Sequence, residues 1–290
     1  MEATFEQGVI DPYEEAVAYE CLYAEKGATL KSISEQTVGK KKLPSDVLNE
    51  RLFWPLEQGE IEHLLDSKLG ALRVAVDGTP QYPEKLHAAN IRVPLLYYYG
   101  NINLVETPSV SIVGSRDATE CGRKRAAKLA RCLAENKYTV VSGLARGIDT
   151  AALQSAITAG GKVVGVIGTP LDEQYPPENK RLQQLIGCEH LLISQVPFYH
   201  YAHQAFNSKK SYFRERNVTM ATISDATVIV EASDRSGSLI QANACIKQGR
   251  PLFIMRSLVE NDTVSWPKRY LEKGAFVLDS MDDIYKVLER

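Results

Sequence analysis

The chain has 290 residues, of which 44% are hydrophobic and 24% are charged, and its formal net charge at pH 7 is −2. This is the composition of an ordinary globular protein. The net charge excludes a chain-wide basic field, so any binding of nucleic acid needs a local patch. No apolar run approaches the roughly 20 residues of a membrane helix, and the acidic residues 1–11 lack the apolar core of a signal peptide. We therefore expect a cytoplasmic protein with no membrane partner.

Residues 1–68 are predicted to form a small helical module that precedes a larger domain over residues 69–290. Asp11 and Pro12 suit the N-cap and the first position of a helix. One face of this helix is predicted to be apolar and to carry Ala16, Tyr19, Leu22 and Tyr23. A second helix is predicted to contain Val47, Leu48, Leu52 and Phe53, and a third to span residues 60–69. The lysine run 40–42 either touches a phosphate backbone or, as we favour, lies in a solvated loop.

From about Gly70 onward, predicted strands alternate with predicted helices. The strands are expected at 71–76, 109–113, 139–142, 162–167, 191–194, 226–231, 251–255 and 275–278. The helices are expected at 120–136, 149–159, 178–187, 214–223 and 238–248. Short Val/Ile runs such as 163–167 are typical of parallel strands that are buried on both faces. The alternation therefore predicts an α/β fold with a doubly wound, mostly parallel sheet.

Three glycine-bearing turns follow predicted strands, at the carboxyl ends where open parallel sheets bind their ligands. They are Gly114-Ser115-Arg116, the stretch from Ser142-Gly143 to Arg146, and Ser236-Gly237-Ser238. Glycine turns at helix N-termini can bind anions, and arginine can grip a phosphate through two donors. Plain turns and helix N-caps, including one at Asp149, remain the alternative.

The segment from Pro197 to Asn217 is predicted to be a long loop on the same rim. Its aromatic residues are Phe198, Tyr199, Tyr201, Phe206, Tyr212 and Phe213, and its basic residues are Lys209, Lys210, Arg214 and Arg216. Rings that stack on bases, at about 1–3 kcal/mol each, and cations that meet phosphates are what single-stranded nucleic acid needs. In the alternative, the aromatic side chains lie in the core.

Other charged and metal-binding residue types give weaker signals. The helix predicted at 120–136 carries Arg123, Lys124, Arg125, Lys128 and Arg131, which we interpret as a solvated face. The five cysteines include no C-x-x-C pair, and among the histidines only His200 and His203 are closely spaced. We therefore expect reduced, buried thiols, no metal site and no cofactor, with a metal or redox site as the alternative.

Taken together, these motifs resemble the DprA/Smf family of DNA-processing proteins. The motifs that carry the resemblance are 113–116, 142–149, 171–172 with 175–179, 216–217 with 224–226, and 236–240. The resemblance implies an extended Rossmann-like domain that binds single-stranded DNA in a positive pocket without catalysing a reaction. It also implies protection of incoming strands in natural transformation, loading of a RecA-type recombinase, and a homodimer.

The residues predicted to bind single-stranded DNA or its phosphates combine the three turns with the aromatic-basic segment. They are Gly114, Ser115, Arg116, Ser142, Gly143, Arg146, Lys209, Lys210, Phe213, Arg214, Arg216, Asn217, Ser236, Gly237 and Ser238. By motif position, the resemblance implies that Arg116 contacts phosphates and that residues 213–217 line the same pocket.

The chain departs from the family pattern in ways that leave two other hypotheses open. The family's F-P-x-R-N-R is here Phe-Arg-Glu-Arg-Asn-Val, so that Val218 replaces an arginine and Glu215 adds a negative charge. The chain also ends at Arg290, before the winged-helix domain that many members carry. One alternative is an interaction module that has lost DNA binding. The other is a nucleotide-ligand enzyme or sensor related to phosphoribohydrolases, with Glu231 or Asp149 as acid or base.

Overall fold

The computed structural model of the protein describes residues 10–68, 72–205 and 207–289. Three features of the sequence predictions fall outside these residues or at their edge: the domain boundary between residues 68 and 69, the first residue of the strand predicted at 71–76, and Phe206. The division into two domains therefore stays a prediction.

The described residues form one nine-stranded sheet with the strand order β1-β2-β6-β5-β4-β3-β7-β8-β9. The strands are β1 Arg73–Val76, β2 Leu95–Gly100, β3 Ser109–Gly114, β4 Thr139–Ser142, β5 Val163–Val166, β6 Leu191–Ser194, β7 Ala226–Glu231, β8 Leu252–Met255 and β9 Phe276–Leu278. The seven strands from β6 to β9 in this order are parallel, and β2 pairs antiparallel with both β1 and β6. All eight predicted strands are present, whereas β2 was not predicted.

Thirteen α-helices are present in the described part of the chain. They are α1 Pro12–Ala24, α2 Leu30–Gln36, α3 Pro44–Asn49, α4 Gln58–Asp66, α5 Glu120–Glu135, α6 Ile148–Thr158, α7 Lys180–Glu189, α8 Phe198–His203, α9 Lys210–Ile223, α10 Ser238–Lys247, α11 Arg256–Val259, α12 Trp266–Leu271 and α13 Met281–Leu288. None of these helices is long and apolar enough to cross a membrane.

The sheet is covered on both faces, because successive side chains of a strand point to opposite sides. Val140 and Val141 of β4 are both buried, yet they belong to different hydrophobic clusters. The first cluster contains the apolar sides of α5 and α6, and the second contains those of α9 and α10. This arrangement confirms the predicted α/β class with an extended, doubly wound, mostly parallel Rossmann-like sheet and helices at the N-terminus.

The helix α1 is enclosed by other elements. Its start follows the prediction, since the Asp11 carboxylate accepts the N–H of Tyr13 at 2.9 Å and Pro12 occupies the first turn. Every residue from Glu15 to Tyr23 is buried, because α1 packs against α3, α4, α8 and β1. The four residues of the predicted apolar face are all buried, but the burial extends around the whole helix from Glu15 to Tyr23.

The remaining N-terminal predictions are correct only in part. The third helix is confirmed as α4, whereas α2 was not predicted. The predicted second helix corresponds to α3, which buries Val47 and Leu48 but ends at Asn49. Leu52 and Phe53 follow it outside any helix and are 93% and 85% exposed, so their predicted place in this helix is wrong.

Candidate nucleic-acid interface

The three predicted turns meet at one place on the carboxyl edge of the sheet. The chain continues from β3 to β4 on one side, while β7 lies on the other side of β3, so the strand order reverses there. Such a switch point is where open parallel sheets form a ligand crevice. Ser115 donates its N–H to the Glu231 carbonyl and accepts the N–H of Ile148, and the Ser238 hydroxyl donates to the Gly114 carbonyl. These hydrogen bonds tie the turns after β3, β4 and β7 into one rim.

Gly143 lies between two buried charged side chains. Its N–H donates to the Asp149 carboxylate at 3.1 Å, and its carbonyl accepts a hydrogen bond from Arg216 Nη1 at 2.5 Å. A Cβ on residue 143 would collide with the Arg216 guanidinium, so a larger residue here requires that guanidinium to move. Asp149 is not an N-cap, because α6 begins at Ile148 and has Gly147 as its cap at φ 80°. The N-cap prediction for Asp149 is therefore wrong.

The two buried charged side chains on either side of Gly143, Asp149 and Arg216, affect each other's ionisation. Burial raises the pKa of Asp149 to about 6, against the lowering effect of Arg216 and of the Ala145 and Gly143 amides. Burial also lowers the pKa of Arg216 to about 10, which still leaves the guanidinium charged at neutral pH. Arg216 is 5% exposed, and its Nη1 also donates to the Val166 carbonyl at 2.8 Å. Its Nε is buried without a hydrogen-bond partner among the described residues.

The aromatic-basic segment is folded into helices, and the prediction of a long loop is wrong. It contains all of α8 and the first eight residues of α9, and Phe198 and Tyr212 in these helices are buried. Of this segment, only residues 214–217 were predicted to be helical. Phe213 stays at the surface of the crevice, where its ring centroid lies 5.7 Å from the Arg116 guanidinium carbon. The Tyr175 ring lies 5.5 Å from the Phe213 ring. Some of the aromatic residues thus lie in the core, and others remain available for stacking.

We use the name cationic cleft for three adjoining pockets of about 250, 250 and 610 Å³ that share Arg116 and Arg216. Seven cationic side chains line the cleft: Arg116, Arg146, Lys209, Lys210, Arg214, Arg216 and Arg235. Three carboxylates line it: Asp149, Glu178 and Asp234. Seven positive charges against three negative ones give a local excess of four, in a chain whose net charge is −2.

Fourteen of the fifteen predicted binding residues line the cationic cleft. Ser142 does not, because it is buried and its hydroxyl donates to the Ile112 carbonyl at 2.6 Å. Arg146 is exposed and is paired with Asp117 at 3.1 Å. The sequence predictions missed Tyr175 and Arg235, although both lie within or beside motifs that carried the family resemblance.

Neither Glu215 nor Val218, the two departures from the family pattern, lines the cationic cleft. Glu215 is absent from the cleft lining, and its charge acts on the buried hydroxyls of Tyr19 and Tyr212. Burial raises the pKa of Glu215 to about 7. Val218 packs against the hydrophobic cluster that contains α10. The two substitutions thus face the protein interior, which weakens them as reasons to expect lost DNA binding.

The other candidate chemistries find less support in the geometry. Both Glu231 carboxylate oxygens accept from Thr119, one from its N–H at 2.9 Å and one from its hydroxyl at 2.6 Å. In the described ranges, no group of three or more His, Cys, Asp or Glu residues is placed to hold a metal. The expectation that all thiols are buried is wrong for Cys121 and Cys188, which are exposed and free.

With this geometry in place, the chain can be compared with known proteins. The family model for DNA recombination-mediator protein A matches residues 73–289. The DNA processing protein DprA of Streptococcus pneumoniae is 37% identical over 208 residues, which cover 72% of this chain and 71% of the relative. The chain belongs to the DprA/Smf family. The resemblance inferred from the motifs is therefore confirmed.

Other DprA/Smf relatives and solved structures extend the comparison. DprA of Bacillus subtilis is 26% identical, with 91% of this chain and 87% of the relative covered. The chain spans about half, 51%, of protein Smf from Synechocystis, to which it is 35% identical. The X-ray structure of S. pneumoniae DprA superposes with a TM-score of 0.75 at 30% identity, covering 96% of this chain and 98% of that one. A Helicobacter pylori DprA structure, described by its single-stranded DNA binding mode, superposes with a TM-score of 0.64 at 26% identity. The match covers 75% of this chain and 95% of the H. pylori chain.

Proposed function

We propose that this DprA/Smf-family chain binds single-stranded DNA in the cationic cleft, as an accessory protein of DNA processing that does not itself catalyse a reaction. The observation that carries the proposal is the local excess of four positive charges beside the Phe213 and Tyr175 rings, at the switch point of the sheet. Cations that follow a backbone and rings that stack on bases are the two parts of a single-strand site.

Arg116 joins these two parts of the site. Its side chain is exposed, and its guanidinium lies over the Phe213 ring, so one residue can face both a phosphate and a stacked base. Below it, the buried Arg216 donates to the Gly143 carbonyl and so fixes this peptide at the floor of the cleft. The geometry favours a single strand, because the base faces of a duplex are hidden in its stack and are out of reach of the Phe213 and Tyr175 rings.

The wider role is proposed from family membership. The H. pylori relative is described as binding single-stranded DNA, which supports the same ligand for this chain. We extend the proposal to protection of incoming strands in natural transformation, to loading of a RecA-type recombinase, and to a cytoplasmic homodimer.

The test is fluorescence anisotropy with labelled single strands and the variants Arg116→Ala and Arg214→Ala. Both should bind more weakly, with little dependence on base sequence, because phosphate contacts carry no base information. Loss of one phosphate contact should also lower the salt slope by about 0.7. Arg73→Ala is the matched control, since Arg73 is an exposed arginine on the edge strand β1. Unchanged binding by both cleft variants refutes the proposed site.

A nucleotide-processing enzyme remains the second candidate, favoured by the raised pKa of Asp149 at the cleft, where perturbed carboxyls are candidates for acid–base work. Its test is release of free base from nucleoside monophosphates. Release by the wild type that is lost in Asp149→Asn supports this enzyme, whereas no release by the wild type removes it.

A further inference from the structure

The outer face of α5 carries an uncommon concentration of positive charge. Its exposed cations are Arg123, Lys124, Arg125, Lys128 and Arg131. The only carboxylates of the helix are Glu120 and Glu135, at its two ends. Five positive and two negative charges leave α5 with an excess of three in a chain of net charge −2.

Helix stability does not account for this pattern. Like charges four residues apart, as at Lys124 and Lys128, destabilise a helix. Cations near the N-terminus of a helix also oppose its dipole, and Arg123, Lys124 and Arg125 lie in the first two turns. The ion pairs of Lys124 with Glu120 at 2.6 Å and of Arg131 with Glu135 at 4.0 Å are exposed, and such pairs contribute only about 0.3–0.5 kcal/mol each. Within the part of the chain that is described, Lys128 has no ion-pair partner.

The charged face continues directly from the cationic cleft. Only residues 117–119 separate Arg116 from the start of α5. Within this connection, Asp117 is paired with Arg146 of the cleft, and the Ala118 carbonyl accepts from Arg123 Nη1 at 2.5 Å. Four peptide steps from Arg116 to Glu120 span at most about 15 Å, so a strand that leaves the cleft beside Arg116 can extend to Arg123 and Lys124 in the first turns of α5.

We infer that the outer face of α5 is a second segment of the nucleic-acid path, which binds the sugar–phosphate backbone of a single strand as it leaves the cleft. Lys124, Lys128 and Arg131 lie at positions i, i+4 and i+7, which places them on one stripe about 10 Å long. The helix carries no aromatic residue, so this segment contacts phosphates and does not read bases. The inference rests on the proposed function, because it extends the same bound strand.

The experiment compares Lys124→Gln/Lys128→Gln with Lys31→Gln/Lys247→Gln. Both double variants remove two exposed positive charges, and the control lysines lie on α2 and α10. Binding is measured with oligothymidylates from about 6 to about 30 nucleotides, a range that starts near the smallest single-strand sites. For long strands, the α5 variant should lose affinity and its salt slope should fall by up to about 1.4, or about 0.7 per contact. The shortest strands that bind the wild type should bind both variants equally, because they fill the cleft alone.

Each other outcome has a definite meaning. If the α5 variant and its control bind long strands with the same affinity and salt slope, the inference is overturned and the face is only solvated or meets another partner. If Arg116→Ala binds short strands more weakly in the same series, the proposed DNA site in the cleft is supported even when the inference about α5 fails. If the wild type binds no strand of any length, both the proposed function and this inference fail.

Discussion

Replacing Arg216 by methionine tests how the floor of the cationic cleft is held together. The change removes the hydrogen bonds to the Gly143 and Val166 carbonyls and leaves the buried Asp149 carboxylate without its neighbouring cation. Removing one partner of a buried charge pair costs about 3–5 kcal/mol, which is a large part of a typical folding stability of about 5–15 kcal/mol. With a urea m-value of about 3 kcal/mol/M, the unfolding midpoint should fall by about 1–1.7 M.

The assay is urea unfolding followed by circular dichroism at about pH 8, where Asp149 is ionised in the folded protein. Arg216→Met/Asp149→Asn should recover part of the loss, because it leaves no uncompensated buried charge. Arg214→Met is the matched control: this neighbouring arginine is exposed, and the midpoint should stay within about 0.5 kcal/mol of the wild type. A wild-type midpoint for Arg216→Met would refute the reasoning and would show that the buried Arg216 does not stabilise the fold.

Two further predictions concern neighbouring positions. Gly143→Ala should lower both the unfolding free energy and the affinity for single strands, because its Cβ displaces the Arg216 guanidinium. Urea unfolding and fluorescence anisotropy measure these two quantities, and wild-type values in both would contradict the prediction. Glu215 binds its proton more tightly when folded, with a pKa raised to about 7, so its contribution to stability is lost as the pH rises through 7. Glu215→Gln should therefore be more stable than the wild type at about pH 8, by about 1–3 kcal/mol in unfolding free energy. This difference should shrink toward about pH 5. A difference that does not change with pH would show that the carboxyl titrates normally.

Much of the fold could be predicted because buried parallel strands have a plain signature. Runs such as Val163–Val166 leave few alternatives, and the glycines after the strands mark where the chain turns. The strand β2 was missed because Leu95–Gly100 contains three consecutive tyrosines and pairs antiparallel, so it lacks that signature. The tyrosines are nonetheless buried or half-buried, since tertiary packing on α1 and α7 decides their environment.

The site was harder to predict because side-chain direction depends on packing. Arg214, Glu215 and Arg216 are adjacent in sequence, yet Arg214 is exposed at the cleft, Glu215 faces the tyrosines and Arg216 is buried. Successive residues of a helix point about 100° apart, so a helix separates what a loop would present together. These three residues fall in the helix predicted at 214–223, but the sequence does not show which side of that helix packs against the core, so the different roles of its charges were missed.

The central claim is tested most directly by fluorescence anisotropy of the wild-type chain with labelled single-stranded and double-stranded oligonucleotides, from about 50 to about 200 mM salt. The cationic cleft and its exposed rings predict a clear preference for the single strand and an affinity that falls steeply with salt. Absence of single-strand binding even at the lowest salt, or equal affinity for the duplex, would contradict the account.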